Sequence, residues 1–245
     1  MGLVQQAMHS VLNMFSSPRC GLCDRPTRTI LCYDCQSQFH SCQYANPQQF
    51  WRSPLPVFAW GQYSGVLKRS IAALKYDNQP AIAQLFGQWL GEAWIRSPLA
   101  KSLGRTHTLL VVPVPANAAK KKRRGYDQAE LIAQAFCRYT RLPLERQLVI
   151  RTEDTVPMYG LSRQARQRNV QGSFQLHPRC QKQLERSKHP RPRNPPAILL
   201  LDDIHTSGAT LNAIAHLLRQ HQMRVYGAVT LAKAGLGQDD PSPNT

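Results

Sequence analysis

Two hydrophobic periodicities alternate along this chain, one typical of buried β-strands and one typical of amphipathic helices. Short apolar runs bounded by turn-forming residues predict strands at 57–63, 109–114, 148–151, 198–201 and 225–231. Apolar residues that recur every three or four positions predict helices at 66–74, 81–95, 128–139 and 211–218. Strands that alternate with helices predict an α/β fold, with a mostly parallel sheet and helices on both faces.

The run 198–201 ends in two adjacent carboxylates, Asp202 and Asp203, followed by a polar loop and a helix start. This places the loop at the carboxyl end of a strand, where open α/β sheets bind ligands. The residues that can surround a phosphate there are Thr206, Ser207, Gly208, Ala209 and Thr210. A carboxylate pair would repel a bare phosphate, so we expect a ligand that also carries hydroxyls or a divalent cation. An ordinary Asp helix cap would explain one Asp and one Thr, but not the whole block.

Four cysteines near the N-terminus form two Cys-x-x-Cys pairs, Cys20 with Cys23 and Cys32 with Cys35. Four thiolates at this spacing can close tetrahedrally around one Zn²⁺ and leave no open position, which predicts a structural zinc site. Disulfides are disfavoured because no secretory signal precedes them. A redox pair would not need a second Cys-x-x-Cys. Substitution of a ligand by the neighbouring His40 or Cys42 is an alternative.

Lysine and arginine together number 31 against 14 acidic residues, so the formal net charge is +17. This excess indicates an anionic partner, such as a phosphate-rich substrate, nucleic acid or an anionic membrane surface. The candidates for nucleic-acid contact form one run, Lys120, Lys121, Lys122 and Arg123. Arg124 and Gly125, together with Arg163 and Arg166, are candidates for pyrophosphate binding. A solvated basic surface is the alternative.

The predicted organisation is a small module followed by one larger domain. Residues 1–45 comprise an amphipathic helix and the cysteine module, 46–56 a linker, and 57–235 the α/β domain. Prolines and cations in 177–196 predict a mobile basic insertion, and 236–245 a disordered tail. No apolar run reaches about 18 residues and the N-terminus lacks the charged segment of a signal peptide, so we expect a cytoplasmic protein without a membrane span.

The acidic block resembles the 5-phosphoribosyl-1-pyrophosphate (PRPP) loop of type I phosphoribosyltransferases, with Ser207 where threonine is usual. With its other blocks, the chain resembles the ComF/GntX family of phosphoribosyltransferase-like proteins, some of which are required for natural DNA uptake. Those blocks are Leu74-Lys75-Tyr76, Val112-Pro113-Val114-Pro115, Arg124-Gly125-Tyr126-Asp127-Gln128, Arg151-Thr152 and Leu161-Ser162-Arg163. The resemblance implies a type I phosphoribosyltransferase fold carrying an N-terminal zinc module.

The resemblance implies two functions. In the first, the protein binds PRPP with Mg²⁺ and transfers phosphoribose to an acceptor that no segment identifies. Asp202 and Asp203 would then face the ribose hydroxyls and stabilise positive charge at C1, while the loop 206–210 holds the 5-phosphate. In the second, the protein is a non-catalytic competence factor that binds single-stranded DNA, works with the DNA-uptake machinery, and retains the PRPP site for regulation or as a relic.

Overall fold

The computed structural model describes residues 18–106, 108–152, 172–186 and 195–235. The predicted N-terminal helix and C-terminal tail, and also Arg163 and Arg166, lie outside the described residues. The strands are β1 (Val57–Gln62), β2 (Leu109–Pro113), β3 (Val149–Arg151), β4 (Phe174–Leu176), β5 (Ala197–His205) and β6 (Val225–Lys233). The helices are α1 (Tyr33–Ser37, followed by a 3₁₀ turn, Gln38–Ser41), α2 (Gly65–Tyr76), α3 (Ala81–Arg96), α4 (Pro98–Thr106), α5 (Ala118–Arg124), α6 (Gln128–Thr140), α7 (Pro178–Arg186) and α8 (Ala209–Gln220).

Four parallel strands form the central sheet, in the order β1-β6-β5-β2. Leu144 extends this sheet through a parallel bridge to Val111 of β2. The first five residues of β5, 197–201, are apolar and buried. A continuous apolar run of this kind is expected of a parallel strand that is covered on both faces.

Alternate residues of β5 enter two hydrophobic cores on opposite faces of the sheet. Leu199 and Leu201 pack in one core with side chains of α2, α3 and α6. Ile198 and Leu200 pack in the other core with side chains of α8 and of the antiparallel β3-β4 pair. The predicted α/β fold, a mostly parallel sheet with helices on both faces, is therefore confirmed.

The basic run that follows β2 forms helix α5, which the apolar periodicity did not predict. The side chain of Asn117 caps its start by accepting hydrogen bonds from the N–H groups of Ala119 and Lys120. Gly125 ends the helix in the left-handed region, with φ of 80°. Lysine and arginine form helices well, and their charges are favourable near a helix C-terminus, so the run is helical without an apolar face.

Two further segments differ from the sequence-based expectation. Strand β5 continues through the acidic pair to His205, so both carboxylates lie in the strand and not in the loop. The first part of the basic segment 177–196 forms α7. Cys180 of this helix is half-buried, because it packs against the core beside α8 and its thiol donates to the carbonyl of Gln147 over 3.7 Å.

The cysteine module is joined to the α/β domain by both backbone and aromatic contacts. The N–H of Gln62 in β1 donates to the carbonyl of Cys42 at 2.7 Å, and that of Tyr44 donates to Trp60 at 3.0 Å. Phe39 packs against Trp89 of α3 with ring centroids 4.8 Å apart. The module therefore shares a hydrophobic core with α2 and α3. The boundaries at 45 and 56 stay predictions.

Among the described residues, no helix combines the length and the apolarity that a membrane crossing requires.

Candidate functional site

The acidic pair lies at the carboxyl end of β5, which is the edge where open α/β sheets bind ligands. Asp203 is buried, and its Oδ2 lies 2.6 Å from Nζ of Lys75. Lys75 is in the last turn of α2, and only 18% of its side chain is exposed. Two charges removed from water in this way depend on each other, because either one alone would be buried without compensation. The ion pair therefore joins α2 to the central strand.

Asp202 is the more accessible of the two carboxylates. It is half-buried, and its Oδ1 accepts the backbone N–H of Asp203 at 2.8 Å. Burial and the neighbouring charge of Asp203 raise the pKa of Asp202 well above the usual range of an aspartate. Burial lowers the pKa of Arg151, at the end of β3, and the negative charge of Asp202 opposes that shift. A ligand that brings hydroxyls or a cation would favour the ionised form of Asp202.

The loop after β5 turns directly into the N-terminus of α8. Gly208 adopts the left-handed conformation with φ of 76°, and helix α8 begins at Ala209. The N–H of Ala209 donates to the Ser207 hydroxyl over a long 3.4 Å. The first helical hydrogen bond of α8 runs from the N–H of Asn212 to the carbonyl of Gly208. The N–H groups of the first helical turn therefore point toward the loop without intrahelical partners, as an anion site requires.

Gly208→Ala is expected to weaken phosphate binding at this loop. A Cβ at this position would lie 2.9 Å from Nε2 of His205, and the left-handed backbone disfavours any side chain. We expect a loss of about 1–2 kcal/mol in unfolding free energy and a loss of phosphate affinity. Thermal unfolding and phosphate titration test this, with Gly172→Ala as the control because nothing lies within 4 Å of its Cβ. Unchanged affinity for phosphate would contradict the assignment of the loop.

Arg124 is the half-buried member of the basic run, and it contacts the end of α2. Its guanidinium lies 5.4 Å from the ring centroid of Tyr76, the residue that follows Lys75, and one of its terminal nitrogens donates to Gln128 at 2.8 Å. The hydroxyl of Tyr126 donates to the carbonyl of Leu74 at 2.6 Å, which fixes the start of α6 against the end of α2. Asp127 caps α6. Tyr126 is thus held within the protein, whereas Tyr76 is exposed.

The other four cations of the run face solvent. Lys120, Lys121, Lys122 and Arg123 are all exposed on α5, and among them Lys121 lies 3.4 Å from Glu130. Both arginines predicted to bind pyrophosphate with Arg124 lie outside the described residues. Within the basic run, Arg124 is therefore half-buried against Tyr76, whereas the other four cations form an exposed cationic surface.

Buried polar atoms without a hydrogen-bond partner are concentrated around this edge of the sheet. Among the described residues they include Nε of Arg124, Nε of Arg151, Nδ1 of His205 and Oγ1 of Thr230. Thr230 is fully buried in β6 and lies beside Asp202 in the register of the sheet. In folded proteins nearly all buried polar groups form hydrogen bonds. Several buried polar atoms without hydrogen bonds around one loop therefore indicate a site that a polar ligand completes.

The four cysteines of the two Cys-x-x-Cys pairs converge. The Sγ atoms of Cys20, Cys23, Cys32 and Cys35 all lie within 4.8 Å of one another. The Sγ atoms of Cys23 and Cys32 are 3.6 Å apart. Sulfur atoms at this separation fit the donor set of a tetrahedral metal ion, so the cluster can hold a metal such as zinc. Cys42 does not belong to the group, because its thiol donates to the carbonyl of Ser64 at 3.4 Å.

Neighbouring groups lower the pKa of two of these thiols, which favours the thiolate form that binds metals. The Nε of Arg25 donates to Sγ of Cys23 at 3.4 Å and lowers the pKa of Cys23 to about 6. Burial opposes ionisation of Cys20, but backbone hydrogen bonds led by the N–H of Cys32 outweigh burial and lower the pKa of Cys20. Burial raises the pKa of Cys35, and the other three thiols raise it further because they oppose a second negative charge. A cation at the centre of the four sulfurs would remove this repulsion between thiolates.

Known proteins with similar sequences cover most of this chain. Competence protein F of Haemophilus influenzae is 30% identical over 174 residues, which are 68% of this chain and 69% of that protein. The chain belongs to the ComF family. DNA utilization protein YhgH of Escherichia coli K12 is 27% identical to this ComF-family chain over 208 residues, 81% of the chain and 83% of that protein. No family model matches the chain.

Several residues of this ComF-family site were not assigned a role from sequence. Lys75 and Arg151 were part of the family blocks, but nothing in the sequence indicated that Lys75 pairs with Asp203 or that Arg151 lies near Asp202. His205, which follows the acidic pair, is the last residue of β5. Thr230 is buried in a mostly apolar strand. Its being polar within that apolar run was the one feature of the sequence that could have indicated a role.

Proposed function

We propose that this ComF-family protein binds PRPP at the carboxyl end of β5 and transfers its phosphoribosyl group to an acceptor. The observation that carries this proposal is the group of buried polar atoms without hydrogen-bond partners around Asp202 and the loop 206–210. A ligand with phosphate groups and ribose hydroxyls would satisfy both the N–H groups of the loop and the adjacent carboxylate. A bare anion would leave the charge of Asp202 without a partner.

Each part of the site would contact a different part of PRPP. The loop 206–210 and the first turn of α8 would bind the 5-phosphate. Asp202 would accept hydrogen bonds from the ribose hydroxyls. Arg124, which lies over the ring of Tyr76 and has a buried Nε–H without a hydrogen-bond partner, would bind the pyrophosphate. Lys75 would hold Asp203 in place, and Asp203 in turn would keep its negative charge beside Asp202.

In the proposed reaction the bond between C1 of the ribose and the pyrophosphate oxygen breaks, and pyrophosphate leaves with both electrons. Positive charge then develops at C1, and the carboxylates of Asp202 and Asp203 would stabilise it. An acceptor nitrogen forms the new bond to C1 and releases its proton. Mg²⁺ would supply further charge neutralisation on the pyrophosphate. Asp203 already pairs with Lys75, so Asp202 is the carboxylate that can contact a metal-bound ligand.

We also propose that the protein acts in the uptake or use of DNA in the cytoplasm, with Zn²⁺ as the structural metal of its cysteine module. Two similar proteins are described as a competence protein and a DNA utilization protein. The exposed cations of α5, with the net charge of +17, support contact with a polyanion. A non-catalytic protein that binds single-stranded DNA is the second candidate. Tyr76 favours it because this residue is 68% exposed and its ring lies beside Arg124, which suits base stacking.

A titration of PRPP with Mg²⁺, followed by calorimetry, tests the first candidate. We expect binding to the wild-type protein and at least a tenfold loss of affinity in Asp202→Asn, because the ribose hydroxyls lose a charged acceptor. Asp77→Asn is the matched control, since Asp77 is an exposed aspartate just after α2. Absence of heat with the wild-type protein would exclude PRPP as the ligand. Equal affinity in Asp202→Asn would remove the assigned role of this carboxylate.

Anisotropy of a labelled single-stranded oligonucleotide tests the second candidate. If α5 contacts the DNA backbone, Lys122→Gln combined with Arg123→Gln should weaken binding and reduce the slope of log K against log salt by about 0.7 for each lost contact. Tyr76→Ala should weaken binding without changing this slope, because base stacking releases no counterions. Absent or salt-independent binding of the wild-type protein would contradict this candidate.

A further inference from the structure

A second group of cationic side chains lies at the end of β6, beside the end of β5. Lys233 is the last residue of β6, and its partners in the sheet register are His205 of β5 and Gln62 of β1. Its Nζ lies 5.0 Å from the ring centroid of Phe50 and 3.3 Å from the carbonyl oxygen of Ala234. Within the described part of the chain, no acidic side chain forms an ion pair with Lys233.

The surroundings of Lys233 oppose its charge. Burial and then the nearby charge of Arg52 lower the pKa of Lys233. Burial and then Lys233 lower the pKa of His205, whose Nδ1 is buried without a hydrogen-bond partner. A half-buried lysine that is close to another cation and lacks a counter-charge is destabilising, unless it serves to bind an anion.

This group is next to the loop. His205 immediately precedes the loop, and its Nε2 lies against Gly208. In the sheet β5 lies between β6 and β2, so Lys233 is on the β6 side of the loop, whereas Arg124 belongs to the helix that follows β2. A single PRPP molecule with its pyrophosphate at Arg124 would leave Lys233 without an anion.

We propose that Lys233, supported by Arg52 and His205, forms a second phosphate subsite next to the loop. This inference rests on the proposed function in taking the loop 206–210 as the site of the first phosphate. The ligand chemistry is a phosphate monoester or diester. It can come from a phosphorylated acceptor that reacts with PRPP, or from the neighbouring phosphate of a nucleic-acid strand whose terminal phosphate occupies the loop.

The test compares wild type with Lys233→Met, using inorganic phosphate, PRPP with Mg²⁺, and a 5′-phosphorylated oligothymidylate as separate probes. We expect Lys233→Met to bind the oligothymidylate about tenfold more weakly, with a salt slope smaller by about 0.7. PRPP affinity should change little. If the subsite serves a small phosphorylated acceptor, saturating PRPP will leave a second site for inorganic phosphate that Lys233→Met loses, and the oligothymidylate will bind both proteins equally.

Thermal unfolding separates this role from a structural one. Removing a half-buried cation beside Arg52 should leave the melting temperature unchanged or raise it, although anion binding is lost. Lys68→Met is the matched control, because Lys68 also lies over an aromatic ring, that of Tyr63 at 6.0 Å, but on the exposed surface of α2. Equal binding of both phosphate and oligothymidylate by Lys233→Met and wild type would overturn the subsite. Failure of PRPP to bind wild type would instead reject the proposed function, and the oligothymidylate arm would still test Lys233.

Discussion

Asp202→Asn is expected to stabilise the folded protein at neutral pH. Burial and the adjacent Asp203 raise the pKa of Asp202, so the folded state holds this proton more tightly than the unfolded state does. Stability therefore falls as the pH rises from the unfolded carboxyl pKa, about 4, toward the raised folded value. The asparagine does not ionise, so we expect a gain in stability at pH 7 that disappears below about pH 4, near the unfolded carboxyl pKa.

Asp203→Asn is expected to have the opposite effect. It leaves Lys75 charged and mostly buried without its partner at 2.6 Å, which costs about 3 kcal/mol in unfolding free energy. The reverse truncation, Lys75→Met, should destabilise by a similar amount. The double variant Lys75→Met with Asp203→Leu should recover much of the loss, because no isolated charge remains.

Chemical unfolding of the two asparagine variants at pH 4 and pH 7 measures both effects, with Asp77→Asn as the control. A lower stability of Asp202→Asn at pH 7 would show that the carboxylate is structural and contradict its assignment to a ligand. If neither variant changes the unfolding free energy at either pH, the burial and pairing assigned to the two carboxylates are contradicted. The expected combination, a gain in stability with a loss of PRPP binding, is typical of a residue that is retained for function.

Removal of metal from the cysteine module is expected to have the largest effect on stability. Cys20 and Cys35 are buried in the same hydrophobic core as Phe39, which packs against Trp60 and Trp89. Without a metal, the four sulfurs lose their common partner and the segment can no longer hold Phe39 in place. Structural zinc contributes on the order of 10 kcal/mol to the folding of small modules, so we expect a chelator to lower the melting temperature by more than about 10 °C.

Elemental analysis and thermal unfolding test this expectation. The wild-type protein should contain one zinc ion per chain, and Cys23→Ser should contain less and resemble the chelated protein. Cys180→Ser is the control, because Cys180 is half-buried but lies outside the cluster. A chelator-treated protein that keeps its melting temperature would contradict a structural metal. Full zinc content in Cys23→Ser would contradict the ligand set.

The effect of metal removal on the proposed PRPP site is expected to be indirect. The core shared by Phe39 and Trp89 includes Leu74 of α2, the residue next to Lys75. Loosening this core should therefore disturb the ion pair with Asp203. We expect Cys23→Ser to weaken PRPP binding less than Asp202→Asn does when both are measured below their melting temperatures.

Periodicity predicted the central strands well because their physical requirements are local. The apolar run 197–201 must be buried on both faces, and only a central strand offers that environment. The helices on either face were predicted for the same reason, since their apolar residues recur at a helical spacing. Helix α5 was missed because its stability comes from Asn117, Gly125 and the intrinsic preference of its cations, none of which creates an apolar period.

The sequence by itself determined the chemistry present: an acidic pair, a loop of small polar residues, four cysteines at metal spacing and a basic run. It also determined the ComF resemblance, which the comparisons confirmed. These features are visible because they are contiguous or closely spaced, so chain connectivity keeps them together in any fold. The spacing of the four cysteines was sufficient to predict the cluster that the structure shows.

Only the tertiary structure decided which charges face each other. Lys75 is more than a hundred positions from Asp203 along the chain, and Thr230 and Lys233 reach the site through the register of a separate strand. Burial gives these groups unequal roles. It makes Asp203 and Lys75 depend on each other and raises the pKa of Asp202, while Lys233 has no ion-pair partner among the described residues. Such effects depend on the removal of water from particular pairs of groups, and the order of residues along a chain does not specify which groups will meet.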